Sequence, residues 1–178
     1  MAIKIDVSLF KEIKNNNNLV WQGFSIAILT AIANALVAKT VFSLTPLYQA
    51  PTIILILIWV FLNWYVLSKI MHLLASKIFS EKKERRIINK QKNILSGIGY
   101  SYAPELLKFT VIIYPNLFQA VSFGTFVWVI ACQVVFIKIL FNFKSAWRSL
   151  GIVILSYIIQ ILLVFIFMLI VYYLANPA

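Results

Sequence analysis

Charged residues are scarce in this sequence, and acidic residues are the scarcest of them. Charged side chains make up 12% of the 178 residues, whereas a soluble domain has about 25%. A soluble fold of this size would need more polar side chains than this to cover its surface. The scarcity of charge therefore excludes an ordinary cytosolic enzyme, and a hydrophobic content of 62% excludes a disordered chain.

The side chains that usually build catalytic and metal sites are also rare. One cysteine, Cys132, excludes a disulfide within the chain and a cysteine-rich metal site. One histidine, His72, has no Cys, Asp or Glu close to it in the sequence with which to bind a metal. The sequence also lacks a phosphate-binding loop, the HExxH motif and a nucleophile elbow. We therefore expect no catalytic residues, no metal and no cofactor.

Long apolar runs are what the sequence has in abundance. A membrane-spanning helix needs about 20 mostly apolar residues, and five runs of roughly that length predict an all-α membrane protein with a bundle of five transmembrane helices. The third run is the weakest because Pro104, Glu105 and Lys108 interrupt it, and a re-entrant third segment would leave an even number of crossings. The five runs are residues 19–42, 52–74, 94–114, 121–141 and 150–174.

Basic residues are placed unevenly along the chain. The sequence has 16 Lys and Arg against 5 Asp and Glu, and basic connections alternate with uncharged ones between the five runs. Because basic loops stay in the cytoplasm, this alternation predicts a cytoplasmic N-terminus, two cytoplasmic basic loops and a C-terminus outside. The basic loop after the second run could also contact anionic lipid head groups. The candidate residues for that contact are Lys82, Lys83, Arg85, Arg86, Lys90 and Lys92. No recognition fold accompanies these residues, so we do not expect nucleic acid as a partner.

A leader of residues 1–18 precedes one membrane domain of residues 19–178. Apolar residues at helical spacing, such as Val7 and Phe10, are typical of a short amphipathic cytoplasmic helix on the membrane surface. Alternating apolar residues in 3–9 also fit a strand, so the leader has two interpretations. The first apolar run is too long for a cleaved signal peptide, which predicts that it stays as the first span.

Glu105 and Lys108 are the ionisable residues that lie deepest in a predicted span. Glu105 falls about 16 Å along the third run, close to the membrane midplane. A charge is costly there and indicates a functional site by default. The two side chains can meet on one helix face, next to the kink that Pro104 imposes. They could form a polar pocket or proton site, or a structural ion pair at a kinked helix.

Small residues occupy one face at the start of the third run. Gly99 and Ala103 have the four-residue spacing that lets two membrane helices approach closely. This spacing predicts either a dimer interface or packing against another span of the same chain. The residues assigned to the kink and to this packing are Gly97, Gly99, Tyr100 and Pro104.

The run GIGYSYAPELLKF at residues 97–109 resembles the part of the Yip family, the Ypt/Rab-interacting membrane proteins, in which a Gly-Tyr pair precedes a proline and leucines. The basic turn before it and FKSAWRSL at residues 143–150 are also similar to the family pattern. The resemblance implies five spans, a cytoplasmic N-terminus and an outward C-terminus over residues 20–174. Gly99, Tyr100 and Pro104 match the family as structural markers.

The resemblance also bears on partners. Eukaryotic members lie in Golgi and endoplasmic reticulum membranes and bind Rab GTPases and one another, and they carry a long cytosolic region ahead of the spans. The leader of residues 1–18 is similar to that of the shorter prokaryotic members, which implies a prokaryotic inner (plasma) membrane.

The residues and the resemblance together predict a non-enzymatic integral membrane protein. We expect it to organise membranes or to interact with lipids, with other membrane proteins or with itself. The alternative is a small oligomeric transporter or channel that uses Glu105 and Lys108 as its polar site.

Overall fold

The computed structural model describes residues 7–15, 19–41, 46–79 and 91–175, and nearly all of these residues are helical. The described part contains no strand, which confirms the all-α prediction. Helix α3 continues as a π-helical segment, Leu74–Phe79, and two 3-10 segments, Ala103–Lys108 and Pro115–Leu117, flank α5. The α-helices are α1 (Val7–Asn15), α2 (Val20–Val41), α3 (Pro46–Leu73), α4 (Gln91–Ser101), α5 (Phe109–Ile113), α6 (Phe118–Leu140) and α7 (Ala146–Ala175).

Four helical stretches are long and apolar enough to cross a membrane, judged by length and composition. They correspond to the first, second, fourth and fifth apolar runs of the sequence. Their outward faces carry large apolar side chains, such as Phe165 at 60% exposed, and such faces suit contact with lipid tails. The four stretches are Val20–Val41, Ile53–Ser76, Pro115–Leu140 and Ala146–Leu169.

The third apolar run is not one continuous helix. Helix α4 ends at Ser101, and the chain passes through the 3-10 segment Ala103–Lys108 before α5 begins. Pro104 explains the break because its nitrogen cannot donate to the helix and its ring clashes with the preceding turn. The backbone N–H of Glu105 donates to the carbonyl of Tyr102 at 2.9 Å, the i to i−3 pattern of a 3-10 helix. The third run is therefore a broken segment formed by α4, the 3-10 segment and α5.

The broken segment runs alongside α2 in the same direction. The Ser96 hydroxyl donates to the carbonyl of Leu19 at 2.9 Å, and the amide of Asn34 donates to the Glu105 carboxylate at 3.0 Å. Leu19 and Asn34 are roughly 22 Å apart along the helix axis, from the rise per residue of an α-helix. The broken segment thus follows α2 over most of its length.

Helix α3 runs antiparallel to both of these elements. The Trp64 indole N–H donates to the carbonyl of Leu95 at 2.8 Å, while Lys69 donates to the Gln91 side-chain oxygen at 2.7 Å. Residues later in α3 therefore pair with residues earlier in α4. Helices α2, α3 and α4 form the packed centre of the described structure.

Small side chains let α2 and α4 approach at backbone distance. Helix α2 buries Gly23, Ala27 and Ala31 in a row spaced by four residues, which places them on one face. A Cβ atom added at Gly23 would lie 2.7 Å from the Ser96 carbonyl oxygen, and one at Gly99 would overlap the backbone of Gly23. Gly99 thus packs against another helix of its own chain.

Gly97 makes room for an aromatic side chain from α6. The ring of Phe136, which is fully buried, occupies the place that a Cβ at Gly97 would need. The ring of Phe10 in α1 lies 5.5 Å from that of Phe136, centroid to centroid. Because Ile13 of α1 is also fully buried, α1 is a helix that packs on the bundle.

We predict that Gly99→Ala and Gly23→Ala destabilise the protein by about 1–3 kcal/mol, the usual cost of forcing extra volume into a packed site. The new methyl group meets backbone atoms, which cannot rotate away as a side chain can. Thermal unfolding in detergent micelles measures the effect.

Matched controls come from Gly124→Ala in α6 and Gly151→Ala in α7. An added Cβ at either position has open space around it, so the higher helix propensity of alanine should leave the melting temperature equal or raise it. Equal melting temperatures for all four variants would contradict the close contact between α2 and α4.

Candidate functional site

Glu105 and Lys108 meet in the 3-10 segment at the break. The Lys108 Nζ lies 2.9 Å from Glu105 Oε2, and the side chains are only 13% and 15% exposed, respectively. A 3-10 helix has three residues per turn, so side chains at i and i+3 stand directly in line. The 3-10 segment after Pro104 therefore holds the two charges in contact.

Asn34 of α2 joins this pair from the neighbouring helix. Its amide nitrogen donates to Glu105 Oε2 at 3.0 Å, and its side-chain oxygen accepts from Lys108 Nζ at 2.9 Å. The same nitrogen also donates to the carbonyl of Thr30 at 3.0 Å. Asn34, Glu105 and Lys108 thus form a closed ring of hydrogen bonds, here called the polar triad.

A second contact holds the break against α2 close to the polar triad. The hydroxyl of Thr30 donates to the carbonyl of Tyr102 at 3.4 Å. The same carbonyl also accepts from the backbone N–H of Glu105. The α2 helix therefore supplies polar partners for both the charged side chains and the backbone of the break.

Sequence reasoning did not single out Thr30 or Asn34. The available signal was a polar amide inside the otherwise apolar run LTAIANALVA of residues 29–38. Polar side chains inside a membrane span usually hydrogen bond to another helix, so Asn34 required a partner. Its identity depended on which span packs against α2, and the sequence pattern does not specify that.

A cavity of about 330 Å³ adjoins the polar triad between α2 and α3. Its wall combines the triad with apolar and amide side chains of α3. On the α3 side of the cavity, Asn63 Oδ1 accepts a hydrogen bond from the Gln160 amide of α7. The lining residues are Thr30, Asn34, Ile56, Trp59, Val60, Asn63, Tyr102, Glu105 and Lys108.

Buried polar atoms also lie behind the break, toward α6 and α7. The hydroxyl of Tyr102, both amide atoms of Gln133 and the side-chain oxygen of Gln160 are buried, and none has a hydrogen-bond partner within the described residues. Unpaired polar atoms are costly in an apolar interior.

The other predicted residues are spread over the structure. Pro104 is buried at the break, and the Tyr100 hydroxyl donates to Gln22 of α2. Lys92 is exposed at the start of α4. Cys132 is buried in α6, and the described residues contain no cluster of His, Cys, Asp or Glu suited to a metal. The remaining candidates for lipid contact lie outside the described residues: Lys82, Lys83, Arg85, Arg86 and Lys90.

We predict that Glu105→Gln and Lys108→Gln each destabilise the protein by about 3 kcal/mol, the lower end of the cost of breaking a buried ion pair. Each variant leaves one mostly buried charge without its counter-charge. The double variant Glu105→Gln/Lys108→Gln should cost less than the sum of the two single changes, because it leaves no charge behind. Equilibrium unfolding in mixed micelles gives these free energies.

Glu12→Gln in α1 is the control for these changes, since Glu12 is exposed and its replacement should alter stability by less than about 0.5 kcal/mol. If Glu105→Gln lowered the free energy of unfolding no more than Glu12→Gln does, the ion pair would contribute nothing to stability.

Comparison with known proteins now gives a family. No curated protein and no solved structure matches the chain. The family model for the Yip1 domain matches residues 7–173, which is nearly the whole chain. This match confirms the resemblance that the run at residues 97–109 carries. The chain is therefore a membrane protein that belongs to the Yip1 domain family.

Proposed function

We propose that this protein is a non-enzymatic membrane component that acts by associating with lipids and with other membrane proteins. The observation that supports this function best is the closure of the polar triad. Glu105 Oε2 accepts from both Lys108 and Asn34, so the pair is neutralised within the chain. An acid–base or nucleophilic group would need a free and activated side chain, and the triad holds its charges in mutual contact.

The surface of the helices supports association. The second half of α7 exposes nearly every side chain of residues 161–169, and these side chains are apolar. A helix that is apolar on all sides is stable only in lipid or against other apolar helices. This half of α7 therefore offers an extended surface to lipid tails or to a membrane-protein partner.

We propose that the broken segment also crosses the membrane, as the third of five spans in chain order. The N-terminus then lies in the cytoplasm and the C-terminus lies outside. The segment follows α2 for roughly 22 Å, which is most of a hydrocarbon core of about 30 Å. The exposed basic residues Lys11, Lys92 and Lys144 lie at the end where α2 begins, and Lys39 lies at the other end. The positive-inside rule places that end in the cytoplasm, and we assign the protein to a prokaryotic inner membrane.

Labelling of two engineered cysteines tests this topology in a Cys132→Ala background. We expect Lys92→Cys and Asn116→Cys to lie on opposite sides, because the broken segment separates them and both positions are exposed. A membrane-impermeant maleimide should label Asn116→Cys in intact cells, and Lys92→Cys only after permeabilisation.

Lys144→Cys, in the exposed turn after α6, serves as the cytoplasmic reference and should label in the same way as Lys92→Cys. Labelling of Lys92→Cys and Asn116→Cys on the same side, such as both only after permeabilisation, would show that the segment is re-entrant, and would overturn the five-span topology.

A small oligomeric transporter or channel is the second candidate function. The cavity of about 330 Å³ that reaches Glu105 and Lys108 favours it, since polar groups inside a membrane often mark ion pathways. The closed triad argues against it, because an ion path requires charges that can exchange their partners.

Ion flux in reconstituted liposomes separates the two functions. With a pH-sensitive dye inside and a potassium diffusion potential, we expect wild type and Glu105→Gln to leak no faster than empty liposomes. Glu12→Gln is the matched control for loss of a carboxylate. Robust flux in wild type and in Glu12→Gln, lost in Glu105→Gln, would replace the proposed function with transport.

A further inference from the structure

The turn between α6 and α7 is fixed to the bundle by two aromatic side chains. Phe141 and Phe143 are buried, and their rings stack with centroids 5.7 Å apart and planes 11° apart. Asn142 between them has a positive φ of 51°, which asparagine adopts more readily than most residues. The backbone N–H of Phe143 donates to the carbonyl of Lys138 at 3.1 Å. The residues that follow the turn therefore leave the bundle at a defined place.

Three large exposed side chains follow this turn. Lys144 and Arg148 are exposed, and Trp147 is 79% exposed. The backbone N–H of Trp147 donates to Ser145 Oγ at 3.2 Å, which fixes the start of α7 beside them. The three side chains lie within about one helical turn of that start, so they share one level along the membrane normal. Tryptophan is enriched at the membrane–water interface, and basic side chains at that level attract anionic lipids.

The face of α7 that continues from Trp147 into the membrane is apolar. Positions 147, 151, 154 and 158 lie on one face, because they are spaced by four and three residues. Ile154 and Ile158 are each 48% exposed, and a Cβ added at Gly151 would have open space around it. Trp147 and Ile158 are about 16 Å apart along the axis, roughly half of a hydrocarbon core of about 30 Å. From the surface inward this face has the order of a phospholipid in one leaflet, with charge first and apolar groups after it.

The charge at the start of α7 favours an anionic ligand. No Asp or Glu follows Glu105 in the sequence, so neither the turn nor α7 supplies a negative charge to balance Lys144 and Arg148. An arginine can bind a phosphate through two parallel N–H donors, and a lysine adds a point charge. A lipid with net negative charge balances these two residues, whereas a zwitterionic lipid brings an ammonium group together with its phosphate.

A lipid also fits this surface better than an acidic protein does. An acidic protein in the water phase would contact Lys144 and Arg148 but would leave Ile154 and Ile158 uncovered. A phospholipid covers the charged level with its head group and the apolar face with an acyl chain. The continuity of the charged and apolar parts along α7 therefore favours the lipid.

We propose that the start of α7 binds one anionic phospholipid, in the leaflet at the end of the bundle where α2 begins. The phosphate bonds to Lys144 and Arg148, the Trp147 ring lies beside the glycerol, and one acyl chain packs over Gly151 against Ile154. This inference rests on the proposed function, because it names the lipid class with which the protein associates and the place of contact.

Native mass spectrometry of the full chain in mild detergent tests the proposal. Phosphatidylglycerol, phosphatidylethanolamine and phosphatidylcholine with identical acyl chains are titrated separately. Glycerol 3-phosphate supplies a phosphate without a tail, and a polyglutamate peptide stands for an acidic protein. We expect phosphatidylglycerol to bind about tenfold more tightly than the other two lipids, which corresponds to about 1.4 kcal/mol. Neither glycerol 3-phosphate nor polyglutamate should displace it.

One double variant examines the head-group part of the site. Lys144→Gln/Arg148→Gln should remove the preference for phosphatidylglycerol over phosphatidylcholine. Lys11→Gln/Lys39→Gln is its control, because it removes two exposed positive charges that lie away from the turn, and it should bind the three lipids like wild type.

A second variant examines the acyl-chain part. Gly151→Trp should weaken binding of all three lipids by about tenfold, since the new ring occupies the place of the acyl chain. Gly124→Trp in α6, where an added Cβ also has open space, is its control and should bind like wild type. The substituted positions are exposed or have open space around them, so all four variants should keep the melting temperature of wild type.

Three results would contradict the proposal. Equal binding of the three lipids by wild type overturns the preference for anionic lipid. A loss of affinity in Lys11→Gln/Lys39→Gln as large as in Lys144→Gln/Arg148→Gln assigns the binding to the total charge of the chain and overturns the site. Displacement of phosphatidylglycerol by glycerol 3-phosphate or polyglutamate, with no effect of Gly151→Trp, overturns the lipid as the ligand. None of these results concerns ion flux in liposomes, so failure of this inference and failure of the proposed function are distinguishable.

Discussion

The hydrogen-bonded ion pair at the break in the third segment is the constraint on which the arrangement of α2, α4 and α5 depends. Pro104 ends regular helix inside an apolar environment, and two charges follow it within one turn. Unpaired polar groups cannot remain in such an environment without a cost of several kcal/mol. Asn34 of α2 meets that requirement for the charged side chains, and Thr30 adds a hydrogen bond to the backbone carbonyl of Tyr102, so α2 must lie beside the break in one register.

That register in turn requires small residues. The Asn34 side chain is short and reaches Glu105 only if the two helices are close. Gly23 and Gly99 allow this approach because each would clash with the other helix if it carried a Cβ atom. The packing of small residues and the bonding of the charges are therefore two parts of one contact, with the glycines at one end and the polar triad toward the other.

The sequence predicts some of these features and leaves others undetermined, for physical reasons. Apolar runs and scarce charge are sufficient for an all-α membrane protein, since only helices or closed barrels satisfy their backbone in lipid, and the run at residues 97–109 indicates the family. The spacing of Glu105 and Lys108 lets them meet in either an α-helix or a 3-10 helix, so it does not reveal the 3-10 segment. The hydrogen bond from Asn34 to Glu105 joins residues 71 positions apart, so local sequence patterns do not predict it. In a membrane, both faces of a span are apolar. Hydrophobic periodicity therefore does not identify the packed face, which is indicated instead by small residues such as Gly23 and Ala27 and by the polar Asn34.

The polar triad holds its charges in contact within the chain, and this favours a structural role over transport. Glu105 Oε2 accepts two hydrogen bonds, from Asn34 and from Lys108. These bonds keep the broken segment beside α2 without any ligand. A transport site would have to break them, because an ion that crosses must displace the partner that holds the break. The geometry of the triad is therefore better suited to fixing the break than to passing an ion.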